Sequence, residues 1–594
     1  MTTEQTPDHR SSRSRSAFKL LSGYLWRDRP LLIRSVLLLL VATALDVTGP
    51  LLAKVFIDDY LIPQQLDGTM LLVLLAGYLF SQAGAAWLGY RQTLGFTEIA
   101  LNAVQDIRER VFAHTLKLPM RYFDTAMSGQ LVSRITNDTE AIKDLYVQFL
   151  SVVLGNLMLL IGILIAMALL DSQLMLAALV LIPTVFGVIF LYEKFSGAAV
   201  QKARSLRSDI NAQLSESIAG MSVLQACNQQ QRFSQRFDGV NQHYYRARMS
   251  SIRASAALLR PAIDLLSVLV LVAVVWLFGL QVEAGVAEVG VLYAFLSFLG
   301  RFTEPLAEIT QRFNLYQQAM VAGERVNRLL DEPTQQFSHS QAQVTAGKVA
   351  VRDLHFAYQA DKPVLNGLNF TIEPGQFYAV VGHTGSGKST LLSLLLNFYQ
   401  PTQGSIELDD QPLAQFGHDL LREGVGLIPQ EPFIVAGSIR DNIDMGRDLS
   451  NHAIETAARQ AHLHGMISQL TEGYQTELGE RGTRLSTGQR QQLVIARALA
   501  ASPKTLLLDE ATANVDSETE QVVQQALQEL HGKVTLIIVA HRLSTIKQAD
   551  QILVLNQGEV CERGNHSQLM ALDDGRYQSM YRLQRQAQKV ARRS

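Results

Sequence analysis

Residues Gly382–Thr390 read Gly-His-Thr-Gly-Ser-Gly-Lys-Ser-Thr and decide the fold of the second half of the chain. An apolar, β-prone run (377–381) precedes this loop, and a leucine-rich helical pattern follows it from Leu391. The spacing predicts a strand, a glycine loop and a helix whose N-terminus attracts an anion. In this G-x-x-x-x-G-K-S pattern Lys388 reaches the β- and γ-phosphates, and the Ser389 hydroxyl binds Mg²⁺. The predicted nucleotide-binding residues are Gly382, His383, Thr384, Gly385, Ser386, Gly387, Lys388, Ser389 and Thr390.

The bulk composition indicates more than one domain and a membrane-embedded part. The chain has 594 residues, which is too long for a single core, and its mean hydropathy is +0.10 although 18% of the residues are charged. The apolar excess lies in the first half. A formal net charge of −2 gives no support for a nucleic-acid partner. Two cysteines, Cys227 and Cys561, exclude a disulfide framework, lack metal-ligand spacing and indicate a reducing compartment.

Six apolar segments in the first half are each long enough to cross a bilayer. They lie near residues 31–57, 70–94, 149–170, 174–195, 254–280 and 286–309. The last two are interrupted by charged residues, among them Arg301 and Glu304. The three short loops lack Lys and Arg, whereas the long segments 91–147 and 194–260 are rich in arginine, so the long segments are predicted to be cytoplasmic. An amphipathic stretch before the first segment, ending near Trp26, is predicted to lie on the membrane surface.

The predicted fold is a membrane all-α domain of six transmembrane helices with long cytoplasmic helical extensions, followed by an α/β P-loop NTPase domain. The extensions should turn back in two hairpin tips, near 122–130 with Gly129 as a helix breaker, and near 226–233. The predicted boundaries are a disordered N-terminus (1–16), a transmembrane domain (17–330), a linker (331–347), a nucleotide-binding domain (348–583) and a basic tail (584–594).

Two stretches after the glycine loop carry further chemistry. Residues 505–510 read as a buried strand that ends in two carboxylates. In P-loop ATPases the first, here Asp509, holds Mg²⁺, and the second, Glu510, is placed to accept a proton from the attacking water. Residues 485–489, Leu-Ser-Thr-Gly-Gln, precede another helical pattern and predict a second phosphate-facing helix end. A head-to-tail pair of chains would use both helix ends.

Together these motifs resemble the nucleotide-binding domain of ATP-binding-cassette transporters. The resemblance implies that ATP and Mg²⁺ bind, that Tyr358 stacks on adenine, and that Gln430 senses Mg²⁺ and the attacking water. It also implies a D-loop role for Asp516 and a γ-phosphate switch role for His541. Signature residues Ser486, Gly488 and Gln489 would face the partner's nucleotide. The implied catalytic residues are Glu510, His541, Gln430 and Lys388, and the implied metal-binding residues are Ser389, Gln430 and Asp509.

Six spans followed by one such domain resemble an exporter half-transporter, most closely the bacterial multidrug-resistance-like MdlB type. This implies ATP-driven export of amphiphilic small molecules across the bacterial inner membrane, with both termini and the nucleotide-binding domain cytoplasmic. A homodimeric flippase of the lipid A type is the nearest alternative. The implied partners are a second half-transporter subunit, membrane lipid and the amphiphilic cargo, with no nucleic acid.

One departure from the family pattern bears on the partner. The signature has Thr487 where the family usually has glycine, and the D-loop stretch reads Ala-Asn-Val-Asp at 513–516. Heterodimers of this family often pair a competent site with an impaired one, so the departure favours a heterodimer over a homodimer.

Two other functional classes share some of these sequence features. An ATP-gated channel would use the same parts but would tend to lose the catalytic carboxylate, and Glu510 is present. A soluble cassette ATPase acting on nucleic acid or ribosomes is excluded by the six spans. Charges within spans usually face the interior, so Asp46 and Glu304 are expected to favour cationic amphiphiles, with a structural role for Asp46 beside Pro50 as the alternative.

Overall fold

The computed structural model describes residues 23–64, 67–283, 288–335, 338–509, 517–540 and 546–591. The chain divides into two compact units. We call Met1–Lys117 with Ala126–Glu332 the helical unit, and Leu118–Thr125 with Pro333–Ser594 the α/β unit. Residues 1–22 lie outside the described residues. They include the N-terminus that was predicted to be disordered (1–16) and the first part of the predicted surface helix.

The described part of the helical unit consists of long helices joined by short turns. They are α1 (Arg29–Val55), α2 (Gly68–Thr115), α4 (Ser128–Ser133), α5 (Thr139–Gln148), α6 (Leu154–Leu170), α7 (Ser172–Leu179), α8 (Leu181–Ala219), α9 (Met221–Ala226), α10 (Gln230–Ala254), α11 (Arg260–Glu283) and α12 (Val289–Leu330), while α3 (Met120–Thr125) belongs to the α/β unit. Four π-helical turns interrupt or extend them, at Phe56–Leu61, Arg134–Asp138, Phe149–Val153 and Ser255–Leu259.

Five helical stretches among the described residues are long and apolar enough to cross a membrane. They are Arg29–Leu61, Gly68–Thr115, Gly129–Leu170, Ser172–Tyr192 and Gln230–Val282. The sixth predicted span falls on α12, which is helical throughout but carries Arg301 and Glu304 within its apolar half. Side-chain caps fix the starts of α2 and α7. Asp67 accepts a hydrogen bond from the Thr69 N–H at 3.0 Å, and Asp171 accepts one from the Gln173 N–H at 2.8 Å.

Both predicted hairpin tips are places where the helical stretches are interrupted, with one difference in detail. Between α2 and α4 the chain forms only the short helix α3, and between α8 and α10 it forms only α9 and the turn at Cys227–Gln229. Gly129, predicted to break the first tip, lies inside α4 instead. A single glycine costs only about 1 kcal/mol in a helix, so the flanking residues prevail.

The helical unit is held together by an apolar core and a few polar bonds between helices. Several of the largest side chains of this core come from α12, among them Phe295, Phe298 and Phe302. Near them, Arg301 pairs with Asp46 of α1 at 2.9 Å, and the amide of Asn156 donates to Glu308 at 2.8 Å. These bonds satisfy polar groups that would be costly to leave unpaired in an apolar setting.

The α/β unit contains two sheets. Its strands are β1 (Val349–Gln359), β2 (Lys362–Ile372), β3 (Phe377–Gly382), β4 (Gln403–Leu408), β5 (Gln411–Pro412), β6 (Val425–Ile428), β7 (Thr505–Asp509), β8 (Thr535–Val539), β9 (Gln551–Asn556) and β10 (Glu559–Gly564). One sheet is antiparallel in the order β2-β1-β4-β5, and the other has the order β10-β9-β3-β8-β7-β6. In the larger sheet only the β9–β10 pair is antiparallel.

Besides α3, the described part of the α/β unit contains the following helices. They are α13 (Lys388–Leu395), α14 (His418–Gly424), α15 (Ile439–Asp444), α16 (Asn451–Gln460), α17 (His464–Ile467), α18 (Thr487–Leu499), α19 (Ser517–Leu530), α20 (His566–Met570) and α21 (Arg576–Ala591). Alternate residues of β3 enter different cores: Phe377 belongs to the core that includes the apolar residues of α18, whereas Tyr378 belongs to the core that includes the leucines of α13. Burial on both faces explains why this strand is an unbroken apolar run.

Candidate functional site

The predicted phosphate loop joins β3 to α13 as strand, loop and helix. Gly385 and Gly387 have φ angles of +82° and +100°, which glycine adopts without strain. Gly387 is the N-cap of α13 and supplies no side-chain cap, so the first N–H groups of the helix remain directed at the loop. A Cβ on Gly387 would lie 2.4 Å from Cδ2 of Leu365. Position 387 therefore requires glycine for two reasons: its backbone has a positive φ, and a Cβ would clash with Leu365.

Lys388 is positioned by the loop itself. Its side chain is buried, with the residue only 6% exposed, and its ammonium donates to the carbonyl oxygens of Gly382 at 2.8 Å and His383 at 3.0 Å. A buried ammonium needs such acceptors, and a phosphate oxygen is a stronger one than a carbonyl. Nearby, the buried Ser386 hydroxyl makes no hydrogen bond among the described residues. Both side chains suit a loop that surrounds an anion.

The strand register brings the other predicted residues to the same edge of the sheet. Strands β3, β8, β7 and β6 are mutually parallel, so their carboxyl ends lie together. Val380 pairs with Val539, and Val539 pairs with Asp509, which places Asp509 level with Val380, two residues before the loop. Gln430 follows β6 by two residues on that edge and is exposed. Ligands of open α/β sheets bind at this edge.

Three predicted residues lie outside the described residues: Glu510, Asp516 and His541. Glu510 directly follows Asp509 in the sequence, and His541 comes two residues after the end of β8. Their roles as base, D-loop aspartate and switch residue stay predictions.

Tyr358, predicted to stack on adenine, lies near the loop helix. Its hydroxyl donates to Oγ1 of Thr390 at 3.3 Å, and its ring is 40% exposed. Sequence reasoning missed its neighbours: Phe356 and Tyr399 meet the Tyr358 ring edge-on at centroid distances of 4.8 and 5.1 Å. The bare sequence offers one signal for Tyr399, an aromatic pair immediately after the leucine-rich helix. The cluster fixes the Tyr358 ring in place, and part of the residue stays accessible.

The predicted signature forms the N-terminus of α18. Ser486 accepts the N–H of Gln489 at 3.2 Å, and the Gln489 side chain accepts the N–H of Ser486 at 2.9 Å, which is a capping box. Gly488 is buried. Thr487 is exposed on the first turn, and its hydroxyl accepts from Arg490 at 3.2 Å. The N-terminus of α18 is thus capped by its own side chains. Thr487, which stands where the family usually has glycine, is exposed there.

An arginine that the sequence analysis did not single out anchors this helix. Arg497 of α18 donates to the carbonyl oxygens of Asn442 and Phe433, both at 2.7 Å. Burial, together with the charge of Arg447, lowers the pKa of Arg497 to about 10, so it stays charged at neutral pH. Only the tertiary fold brings residues 433 and 442 to α18, and no local sequence signal identifies this contact.

The residues fit a Mg²⁺-bound triphosphate. The helix N-terminus, Lys388 and the unpartnered Ser386 hydroxyl suit phosphate oxygens, while Ser389 and Asp509 offer hard oxygen ligands. Among the described residues, no group of three His, Cys, Asp or Glu side chains could hold a metal without help.

The chain is similar in sequence to known membrane transporters. Residues 32–306 match the model of the ABC transporter transmembrane region, and residues 365–513 match the ABC transporter model. The chain is 38% identical to "Multidrug resistance-like ATP-binding protein MdlB" of Buchnera aphidicola subsp. Schizaphis graminum over 94% of this chain and 96% of that protein. The chain belongs to the ATP-binding-cassette transporter family. It is also 33% identical to an "ATP-dependent lipid A-core flippase" of Nitrosococcus oceani over 96% of this chain and 95% of that protein.

The fold of this transporter agrees with that family assignment. A solved bacterial Atm1-family ABC exporter with ATP bound has a TM-score of 0.76 and 26% identity, covering 94% of this chain and 98% of its own. The transporter therefore has the exporter fold, a helical membrane domain followed by an α/β nucleotide-binding domain, and hydrolyses ATP with Mg²⁺ as the partner ion.

Proposed function

We propose that this transporter exports amphiphilic small molecules, either drug-like compounds or lipids, across the bacterial inner membrane as one half of a dimer. The observation that carries the proposal is the meeting of the phosphate loop, Asp509 and Gln430 at one sheet edge in a chain with five or more membrane-spanning helices. The names of its relatives, multidrug-resistance-like and lipid A-core flippase, support this cargo class. The arginine-rich hairpins favour cytoplasmic termini and a cytoplasmic nucleotide-binding domain.

The proposed chemistry is hydrolysis of the γ-phosphate. Water attacks the γ-phosphorus while the bond to the bridging oxygen breaks, which releases ADP and phosphate. Glu510 accepts the proton of that water, and Lys388 balances the negative charge on the phosphate oxygens. His541 contacts the γ-phosphate, and Gln430 couples the state of the site to the rest of the protein. Mg²⁺, held by Ser389 and Asp509, would add charge neutralisation.

Vesicle experiments test this function. In inside-out proteoliposomes, ATP should drive uptake of a fluorescent amphiphile against its gradient. Glu510→Gln should retain ATP binding but lose turnover about 10²–10⁴-fold, the usual contribution of a general base. Lys388→Ala should lose nucleotide affinity instead. ATP-dependent movement of the dye only down its gradient would indicate a channel and contradict the exporter.

The polar residues of the helical unit bear on the charge of the cargo. Asp46, considered as a cargo-facing charge, is paired with Arg301 at 2.9 Å. Glu304 lies one turn along α12, is exposed, and makes no hydrogen bond or ion pair with the part of the chain that the structure describes. An exposed carboxylate in an apolar helix is costly against lipid and typically faces water or substrate. We infer that Glu304, rather than Asp46, favours cationic cargo.

A matched pair of cargoes tests the role of Glu304. Glu304→Gln should raise the half-saturating concentration of a cationic dye roughly tenfold, the equivalent of one charge-assisted bond. A neutral dye of similar size should be transported as by wild type. Equal losses for both dyes would assign Glu304 a structural role.

We further propose that the dimer is a heterodimer in which the phosphate loop, Gln430, Asp509 and Glu510 of this chain form the competent ATP site. Its loop, Gln430 and both carboxylates fit the family pattern, whereas its signature departs at Thr487. In head-to-tail pairing that signature would complete the partner's site, and a regular partner signature would complete the site that uses Glu510. A homodimeric flippase of the lipid A type remains the second candidate, favoured by the relative of that name.

A further inference from the structure

A loop within the α/β unit connects the edge of the larger sheet with helix α15. We call residues 431–438 the 431–438 loop. It begins directly after Gln430, and it ends at Ser438, the N-cap of α15. Any displacement of Gln430 is therefore passed along the chain into this loop, and the contacts of the loop decide what moves with it.

Asn442 of α15 holds the loop from one side. The residue is fully buried, and its amide makes hydrogen bonds in both directions. The amide oxygen accepts the N–H of Val435 at 2.9 Å, and the amide nitrogen donates to the carbonyl oxygens of Val435 at 2.9 Å and Ser438 at 3.0 Å. A buried polar network whose members are all satisfied is rigid. The loop and α15 therefore form one body.

Arg497 joins this body to α18. Its guanidinium donates to the carbonyl oxygens of Phe433 and Asn442, both at 2.7 Å, and to the amide oxygen of Asn442 at 2.9 Å. The planar fork of arginine holds three acceptors in a fixed arrangement, which the ammonium of lysine cannot do. A half-buried charge that lost these acceptors would be costly, so we expect the loop and α18 to move together.

The loop is also attached to the residues that lead into α18. The Gly437 carbonyl oxygen accepts the N–H of Leu478 at 3.0 Å. The buried Ile434 packs against Gly482, where a Cβ would lie 3.0 Å from Cγ2 of Ile434. The Gly482 carbonyl oxygen in turn accepts the N–H of Leu485 at 3.0 Å, one residue before the N-cap of α18. The loop is thus linked to both ends of this helix.

We propose that Arg497 and Asn442 are positioning residues that transmit the state of one ATP site to the other. The proposal rests on the head-to-tail dimer of the proposed function, in which Gln430 lies in one site and the N-terminus of α18 completes the second. A shift of Gln430 on nucleotide binding displaces the 431–438 loop, and α18 follows because Arg497 and Asn442 hold it to the loop. Ser486 and Gly488 are thereby brought into place for the second nucleotide, so ATP at one site favours ATP at the other.

Equilibrium ATP binding tests the proposal. The parent is the full chain with Glu510→Gln, which prevents consumption of ATP, held as a dimer in nanodiscs and titrated with radiolabelled ATP and Mg²⁺. The parent should bind with a Hill coefficient above 1. Arg497→Gln should lower the coefficient to 1 and raise the half-saturating ATP concentration about tenfold, within the usual range for coupling between two sites. Arg497→Lys keeps the charge but cannot span Phe433 and Asn442, so it should lose cooperativity too.

Arg447 supplies the matched control. It also forms three bonds at the end of α15, donating to the carbonyl oxygens of Asp444 at 2.8 Å, Ile443 at 2.6 Å and Arg497 at 3.0 Å, but these bonds bypass the 431–438 loop. Arg447→Gln should therefore lower the thermal unfolding temperature about as much as Arg497→Gln does. It should keep the Hill coefficient and the half-saturating ATP concentration of the parent.

Three outcomes would overturn the proposal. They are a Hill coefficient of 1 in the parent, unchanged cooperativity in both Arg497 variants, and an equal loss of cooperativity in Arg447→Gln, which would leave Arg497 a purely structural role. Failure of the proposed function has a different result. Cooperative ATP binding that depends on Arg497, in a dimer whose hydrolysing form moves no dye against its gradient, would contradict the exporter and support this link.

Discussion

At the scale of single residues, the glycines of the phosphate loop differ in what they tolerate. Gly385 and Gly387 both have positive φ angles, so alanine at either should cost about 1–2 kcal/mol of backbone strain. A Cβ at Gly385 meets nothing within 4 Å, whereas one at Gly387 meets Leu365 at 2.4 Å. Gly387→Ala should therefore cost about 1–3 kcal/mol more through overpacking.

Urea unfolding and nucleotide titration of the two variants measure this difference. Gly387→Ala should show the lower unfolding midpoint and the weaker ATP binding, with Gly385→Ala as its matched control. Equal midpoints for the two variants would contradict the packing argument.

The positions of motif residues could be predicted where the strand and loop are local in sequence, whereas their functional roles stay predictions. Ser386, Lys388 and Asp509 could be placed because each lies in, or directly after, a short motif whose strand and loop are local. Tyr399 and Arg497 could not, because their partners are brought together only by the tertiary fold. Asp46 was ambiguous for the same reason, since Arg301 is 255 residues away in the chain.

At the scale of elements, Asp409 ties the linker to the first sheet of the α/β unit. Its carboxylate accepts the backbone N–H groups of Thr345, Ala346, Gly347 and Lys348 at 2.7–2.9 Å. Burial acts to raise the pKa of Asp409, but these four donors prevail and hold it below its ordinary value. The ionised form is thus favoured by folding.

We expect Asp409→Asn to destabilise the α/β unit at neutral pH by about 1.5–3 kcal/mol, the worth of hydrogen bonds to a charged group. Because the folded pKa is depressed, the stabilisation is present above the unfolded value near 3.8 and is lost as pH falls through the folded pKa. Thermal unfolding at pH 7 and near pH 3 measures the change, and the gap between variant and wild type should narrow at the lower pH.

The adjacent residue supplies the control for this prediction. Asp410 also has a positive φ but forms only an exposed ion pair with Lys348 at 2.9 Å. Asp410→Asn should change stability by less than about 1 kcal/mol at either pH. A loss as large as that of Asp409→Asn would contradict the role assigned to the backbone donors.

The second hairpin tip leads to a prediction about coupling. Cys227 is an exposed free thiol in the turn between α9 and α10. If this tip contacts a nucleotide-binding domain, a bulky thiol reagent at Cys227 in a Cys561→Ser background should uncouple ATP hydrolysis from transport. The same label on Ser208→Cys in a chain that also carries Cys227→Ser should leave coupling intact. Complete labelling of Cys227 with normal coupling would place the contact elsewhere.

Helices and strands could be predicted from the sequence where the hydropathy pattern or the motif spacing is regular. The five most apolar helices and the strand–loop–helix at Lys388 were expected from the sequence. The short helix α3 and the π-helical turns were not expected, because they depend on packing between helices and have no periodic signal. The prediction that Gly129 breaks the helix was wrong, because it considered the glycine alone and not the flanking residues that form α4.

At the scale of the whole molecule, the heterodimer proposal makes a direct prediction. Purified alone, this chain can pair only with itself, so both sites would carry Thr487 and turnover should be low. Co-expression with a partner that has a regular signature should restore ATP hydrolysis in proteoliposomes, and Glu510→Gln in this chain should then abolish most of it. Brisk, cargo-stimulated hydrolysis by this chain alone would support the homodimer.

The π-helical turns carry a consequence for how the protein tolerates insertions and deletions. Loss of one residue from an α-helix rotates every later side chain by about 100° relative to its partners. A π turn already holds one residue more than an α turn, so removing one there restores regular winding and keeps the flanking faces aligned. Deletion of Thr136, in the turn Arg134–Asp138, should therefore be accepted, whereas deletion of a residue midway along α8 should abolish folding. On this view the turns are places where the chain gained residues without losing its helix packing.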